Sequence, residues 1–242
     1  MSRPWFDLHS HTVPGVDDGP VTPAEALRLL EKVRREMPEG SVVAATPHYS
    51  TTMSLFALRS RMEKSRRFAE QVSSQELRVL CAGELKLGMR FSGFHRLLSY
   101  PGTRRVLVEF SHGLVWFGVL RRCMRLVKDG YLPVLAHAER YRWADASRLR
   151  FLSGIGAAVS MSLRSLVISR FRKRAEWILE SGCCHLVTSD CHEEGDPVFG
   201  SAAREFVERL CPGSWEVLAA ENPRRILEEE PLPPPTGGYG RG

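Results

Sequence analysis

Two histidines two residues apart, His9 and His11, open the stretch FDLHSHTVPGVDDG, and the adjacent pair Asp17 and Asp18 closes it. The same donor types return at His48, Glu84, Glu109, His137, Asp190 and His192. Imidazole and carboxylate without thiolate suit Mn²⁺, Fe²⁺ or Zn²⁺. With Asp18 the candidate ligands number nine, too many for one ion and suited to about three that share carboxylates. The carboxylates of Asp18, Glu84, Glu109 and Asp190 cannot neutralise three divalent ions, so such a site stays positive and attracts a phosphate dianion. Bound ions of this kind lower the pKa of a water and clamp the attacking and leaving oxygens of an in-line displacement. The expected chemistry is phosphomonoester hydrolysis by metal-activated hydroxide. Arg140, three residues past His137 in HAERY, is placed to grip a non-bridging phosphate oxygen with a bidentate fork. It joins Asp190 and His192 as an expected catalytic residue.

Such a site needs strands to bring its groups together. Short apolar runs at 5–9, 41–46, 77–83, 105–110, 132–137, 157–161 and 185–190 read as strands. Helical periodicity fills the intervals near 23–37, 55–73, 91–98, 117–129, 144–152, 163–181 and 202–210. Thr22-Pro23-Ala24-Glu25 announces the first helix with an N-cap, a first-turn proline and a capping-box glutamate. Strands alternating with helices imply parallel pairing, and seven units favour a distorted (β/α)7 TIM-like barrel over an open sheet. In such barrels functional groups collect at the C-terminal strand ends. Six of the seven runs end in one or two candidate ligands. Residues two apart in a strand share a face, so His9 pairs with His11 and Asp190 with His192. Asp18, just before Gly19, is the expected ligand of its pair, and Asp17 a turn residue or a support for a ligand. His95, His112 and His185 fall outside the pattern and read as surface or core histidines, with His112 a weak candidate for a substrate loop.

Other chemistries fail on spacing. None of the six cysteines has an arginine six residues on, as a cysteine phosphatase loop needs, and Cys191 points away from Asp190 and His192. Gly113 to Gly118 is followed by Val119 where a P-loop requires lysine. There is no GxSxG elbow. The cysteines show no CxxC pair, which fits a reducing, cytoplasmic location. No signal-length or membrane-length apolar run is expected, so neither export nor stable membrane insertion is. The net charge of +6 is spread over helix faces that also carry acids, and 29 arginines stand against 5 lysines, which argues against a nucleic-acid footprint. Residues 1–230 are expected to form a single domain, and the Pro/Gly-rich tail 231–242 to be disordered.

The stretches DLHSHTVPGVDDGP, ATPH, AGEL, VEFS, AHAERY, TSDCH and ENPRRIL, spread over residues 7 to 227, together resemble the PHP (polymerase and histidinol phosphatase) superfamily. Within it they resemble the CpsB/YwqE-type bacterial metal-dependent protein tyrosine phosphatases. The resemblance implies a PHP-type barrel with three metals, commonly manganese or iron, manganese being the expected ion. It carries ligand roles onto His9, His11, Asp18, His48, Glu84, Glu109, His137, Asp190 and His192, and phosphate binding onto Arg140. It also implies a phosphotyrosine protein substrate, the tail of a bacterial tyrosine kinase that controls capsule or exopolysaccharide export. One departure stands out. Family members usually carry an arginine a few residues after SDxH, whereas this chain reads EEGDPVFG. Either Arg204 or a basic residue after His48 substitutes, or substrate and rate have shifted. Two rival readings remain open: the same chemistry on a small ester such as histidinol phosphate, and a weakly active metal-binding regulatory or scaffold barrel.

Overall fold

The computed structural model of the chain describes residues 3–88 and 93–234. The expected tail lies outside the described residues from 235 onward, as do residues 91 and 92 of the third expected helix. Apolar runs form the strands β1 Phe6–Ser10, β2 Ser41–Ala45, β3 His48–Ser50, β4 Leu77–Cys81, β5 Glu84–Lys86, β6 Arg105–Glu109, β7 Leu132–Leu135, β8 Ala158–Ser162 and β9 Leu186–Thr188. The helices are α1 Pro23–Glu36, α2 Leu55–Val72, α3 Phe94–Leu98, α4 Trp116–Lys128, α5 Ala146–Gly154, α6 Arg164–Val167, α7 Ser169–Glu180, α8 Ser201–Leu210 and α9 Asn222–Leu227. A 3-10 turn at Ala138–Arg140 and a π-turn at Val217–Glu221 complete them. The start of α1 carries the full capping box, Thr22 accepting from the Glu25 amide while Glu25 accepts from the Thr22 amide.

All strand pairs are parallel, in two sheets ordered β1-β2-β4 and β3-β5-β6-β7-β8-β9. Among the described residues nine strands appear where seven runs were expected, because the chain resumes as a short strand just past the ends of the runs 41–46 and 77–83. Pro47 has no amide hydrogen to continue the ladder and separates β2 from β3. Ala82-Gly83 separates β4 from β5. Across both breaks hydrogen bonds persist: the Ala82 amide donates to Ala45 O at 3.0 Å and the Glu84 amide to Pro47 O at 3.1 Å. The last strand also returns to the first. The Asp190 amide donates to His9 O and the His11 amide to Cys191 O, each at 2.8 Å, beside a parallel bridge between Ser10 and Cys191.

The core has two parts. The larger packs the helices against the outer strand faces. The smaller joins Leu8, Ala44, Ala82, Leu107, Val134, Ala158 and Leu186, one from each strand run, with Tyr100 and Ile226. Two and four residues beyond these apolar positions the same faces turn polar: Glu84 follows Ala82, Glu109 follows Leu107, Ser162 follows Ala158 and Asp190 follows Leu186. The C-terminal strand ends therefore converge as a polar floor. Among the described residues no helix is long and apolar enough to cross a membrane.

Candidate metal centre

Eight of the nine expected ligands fall into three converging groups: His11, Asp18, His48 and His192; His9, His11 and Asp190; and His48, Glu84 and Glu109. The ninth, His137, adjoins them, with Nε2 at 2.9 Å from Glu84 Oε1. It belongs to none of the three groups. His9 Nε2 lies 3.1 Å from His11 Nε2, 3.3 Å from Glu84 Oε2 and 3.4 Å from Asp190 Oδ1. Glu84 Oε2 is also 2.8 Å from His48 Nδ1. Asp18 Oδ1 stands 3.4 Å from both His48 Nε2 and His192 Nε2, at the exposed rim.

His9 lies in β1 and His11 just past its end, and at two other candidate ligands the backbone has positive φ. His137 has φ 32° and Asp190 φ 55°, conformations that cost energy and persist where packing enforces them. Asp190 then divides its oxygens. Oδ1 faces His9 and His11, while Oδ2 accepts from Arg140 and from Ser162 Oγ at 3.2 Å.

Two contacts fix which histidine nitrogen is free. His11 Nδ1 donates to Asp17 Oδ2 at 2.6 Å, so in the neutral ring Nε2 carries the lone pair. His192 Nδ1 donates to Asp190 O at 2.8 Å, with the same result. Asp17 Oδ2 also accepts from the His48 amide at 2.9 Å, which gives Asp17 the supporting role expected of it.

Several donor atoms thus face one space. Buried Glu84 Oε2 and His48 Nδ1, 2.8 Å apart, form no well-directed hydrogen bond. A buried carboxylate oxygen left this way costs several kcal/mol unless a cation answers it. The residues present therefore fit divalent metal ions, and the all-nitrogen-and-oxygen donor set fits transition metals.

The electrostatics agree. Burial alone would raise Glu84, yet His9, His11, His137 and His48 hold it well below the ordinary carboxylate range. Asp190 is likewise held low against its burial, by His9, Arg140, His137 and His11. Burial lowers His192 to about 4, with His11 next, and burial also lowers His137, so both rings stay neutral. Burial would lower His11 as well, but its hydrogen bond to Asp17 and the nearby charge of Glu84 lift it to about 10. Glu109 is raised, by burial and then by Glu84. Arg140 is held charged against its burial by Asp190, Glu139 and Glu84.

Arg204 is one of the substitutes expected for the missing arginine. That residue sits on α8 with its head group 3.8 Å from Glu216. From α2, Arg61 donates to the His48 carbonyl at 3.1 Å and lies over the Tyr49 ring. Arg164, at the start of α6, places Nη1 at 3.2 Å from His192 Nδ1 and Nε at 3.1 Å from Asp196 Oδ1. It lines a cleft of about 500 Å³ with Asp18 and His192. Asp196 Oδ2 in turn accepts from the His192 amide at 2.7 Å. Sequence reasoning missed Arg164 because nothing in LRSLV marks one arginine among 29. Asp196, in the segment read only as acidic, carried the available signal. Cys191 is fully buried and burial pushes its thiol up, so it packs as expected. His95 and His185 are buried away from the centre, and His112 is exposed beside it.

Comparison with known proteins then places the chain. A family model described as capsular polysaccharide synthesis, CpsB/CapC, matches residues 5–228. Tyrosine-protein phosphatase CpsB of Streptococcus agalactiae is 30% identical over 246 residues, covering 92% of this chain and 98% of its own. Tyrosine-protein phosphatase YwqE of Bacillus subtilis is 28% identical, covering 94% of this chain and 93% of its own. A chain from the crystal structures of Bacillus subtilis YwqE and Streptococcus pneumoniae CpsB, described as unique metal-dependent tyrosine phosphatases, superposes with a TM-score of 0.76 at 25% identity. That match covers 98% of this chain and 100% of the other.

Proposed function

The chain belongs to the CpsB/CapC family of capsular polysaccharide synthesis, and from that premise we propose that it is a metal-dependent phosphatase that hydrolyses phosphotyrosine in proteins. The observation that carries the reading is Glu84 Oε2, fully buried, without a hydrogen bond and within 3.4 Å of His9, His11 and His48. His9, His11, Asp18, His48, Glu84, Glu109, Asp190 and His192 would hold the ions, with His137 beside Glu84 as the ninth ligand. Three converging groups support three ions, and manganese suits their donors. Bound ions supply Lewis acidity toward phosphate oxygens and a low-pKa water as nucleophile. The protein's own part is to orient. Arg140, fixed by Asp190 Oδ2, holds the non-bridging phosphate oxygens with its fork, and Arg164, fixed by Asp196, offers a second guanidinium beside His192. A tyrosine phenolate leaves with a pKa of about 10, so it demands less protonation than a serine alkoxide.

The finer expectations belong to the same proposal. The two sheets read as one interrupted (β/α)7 barrel of PHP type over residues 1–230, supported by the hydrogen bonds across both breaks, the contact between β9 and β1, and the apolar cluster drawn from every strand run. The substrate is the tyrosine-bearing tail of a capsule-associated kinase, and six free cysteines fit work in a reducing cytoplasm. The test is turnover by manganese-loaded protein of a phosphotyrosine peptide, a phosphoserine peptide and histidinol phosphate. Preference for the first is expected, and faster turnover of histidinol phosphate would replace the proposal with its small-ester rival. Asp190→Ala and His9→Ala should each abolish turnover while leaving the far-ultraviolet circular dichroism unchanged. Near wild-type rates in either would remove that residue from the centre.

A further inference from the structure

The loop after β6, the turn after β7 and the start of α7 enclose a groove of about 1190 Å³ that runs outward from Arg140. Its lining is crowded with arginine. Two of these are committed to structure: Arg174 donates to the carbonyls of Glu139, Tyr141 and Ala144 at 2.8–3.0 Å, and Arg148 to Trp143 O and to Asp145 at 3.2 Å. Arg142 and Arg170 are different. Both are exposed and neither has a carboxylate within ion-pair distance among the described residues. The one acid in the lining, Glu139, is fully buried. Exposed like charges gathered without counter-charges repel one another, so the groove is electrostatically incomplete by itself. His112 on the same rim registers the field, its pKa lowered by partial burial and then by Arg140, Arg170 and Lys86.

The groove is also aromatic. Phe117 is 72% exposed, and the Arg170 guanidinium lies 4.5 Å from the Phe171 ring centroid. Arginine stacked on an aromatic ring leaves its edge free for carboxylates, while the exposed ring accepts planar or apolar side chains. Resting on the phosphotyrosine reading, we propose that this groove docks the polypeptide flanking the target tyrosine and selects acidic flanks, with Arg142 and Arg170 as the selecting residues. Continuity with Arg140 favours a peptide already anchored there by its phosphate. The linked contact then acts at high effective concentration.

The experiment uses the full manganese-loaded chain and its Arg142→Glu/Arg170→Glu variant. The substrates are a phosphotyrosine peptide flanked by glutamates, the same peptide flanked by serines, and p-nitrophenyl phosphate, which has no flanks. The wild type should prefer the glutamate-flanked peptide by about tenfold, through KM, with the preference shrinking as salt rises toward about 0.5 M. The variant should lose that preference yet turn over p-nitrophenyl phosphate at about the wild-type kcat. Equal KM values for the two peptides in active wild type overturn the proposal, as does a parallel loss on p-nitrophenyl phosphate. Absence of any phosphatase activity would defeat the phosphotyrosine reading instead. The groove is then judged by fluorescence anisotropy with the unphosphorylated glutamate-flanked tyrosine peptide, expected to bind the variant about tenfold more weakly. No difference there overturns it, and so does a single-stranded oligonucleotide that binds the wild type as tightly as the peptide.

Discussion

Asp17 holds two of the candidate ligands at once, accepting from His11 Nδ1 at 2.6 Å and from the His48 amide at 2.9 Å. The ring of His11 and the backbone of His48 are set by one carboxylate whose pKa falls to about 2, His11 outweighing the effect of burial. Asp17→Asn keeps the shape but puts an NH2 donor where either Oδ2 accepts from His11 and His48 or Oδ1 accepts from the Gly19 amide, and it should weaken metal binding about 10–100-fold. A manganese titration by calorimetry checks this; wild-type affinity would show that the loop alone sets both histidines. Glu139 gives a prediction of opposite kind. It is fully buried, and burial above all raises its pKa to about 7 despite Ser165 and Arg140. A carboxyl raised in the fold stabilises below its unfolded pKa near 4.5, and that stability is lost as pH rises toward 7. Over that interval the loss is on the order of 2–3 kcal/mol. Glu139→Gln removes the slope, so its melting temperature should exceed that of the wild type at pH 8 and not at pH 5. The candidate ligands other than Asp18 were legible from sequence because each sits at or just past the end of an apolar run. Glu139 and Arg164 were not, since their contacts join segments 23 to 32 residues apart and leave no local pattern.

Among the elements, the interruptions of the strands do the positioning. After Pro47 and after Ala82-Gly83 the chain resumes as β3 and β5, which pair with His48 opposite Glu84. Two ligands are thereby placed side by side on short strands of their own. Gly83 permits this by close approach: a Cβ there would come within 2.6 Å of Leu98 Cδ2 and 2.7 Å of Tyr49 Cδ2. Tyr49 is next to His48, so Gly83→Ala presses on both ligand strands. Overpacking of this kind costs about 1–3 kcal/mol. The variant should melt roughly 2–12 °C lower in a domain of this size and bind manganese less tightly. An unchanged melting curve together with unchanged metal affinity would mean that Tyr49 and Leu98 yield without cost. Strand existence and the alternation with helices were readable from periodicity. The breaks were not, because Thr46-Pro47-His48 reads equally well as the end of one strand. The helical run at 163–181 is in fact α6 and α7, parted at Ile168, and the π-turn and α9 follow no clear amphipathic period.

At the scale of the whole molecule, the candidate ligands come from β1, β3, β5 and β6, from the segments that follow β7 and β9, and from the loop before α1. An ion held among them therefore ties the first strand to the last, directly above the apolar cluster that each strand run helps to fill. Without an ion, Glu84 Oε2 stays buried without a hydrogen bond, and Glu84 and Asp190 both face His9 and His11. Occupancy should thus be felt as global stability and not as a local ordering of one loop. A ligand that binds only the folded chain stabilises it by about 4 kcal/mol at a free concentration of about 1,000 times its Kd. For a domain of this length each kcal/mol is roughly 2–4 °C, so saturating manganese should raise the melting temperature of chelator-stripped protein by roughly 8–16 °C. Magnesium, which favours oxygen ligands and keeps its waters, should recover only a small part of that shift. His9→Ala, which removes a donor shared with Glu84 and Asp190, should melt near the stripped wild type and gain little from manganese. The decisive curve is the stripped wild type with and without manganese, followed by near-ultraviolet circular dichroism. Coincident transitions would show that the ions, if bound at all, lie outside the framework that closes β9 against β1.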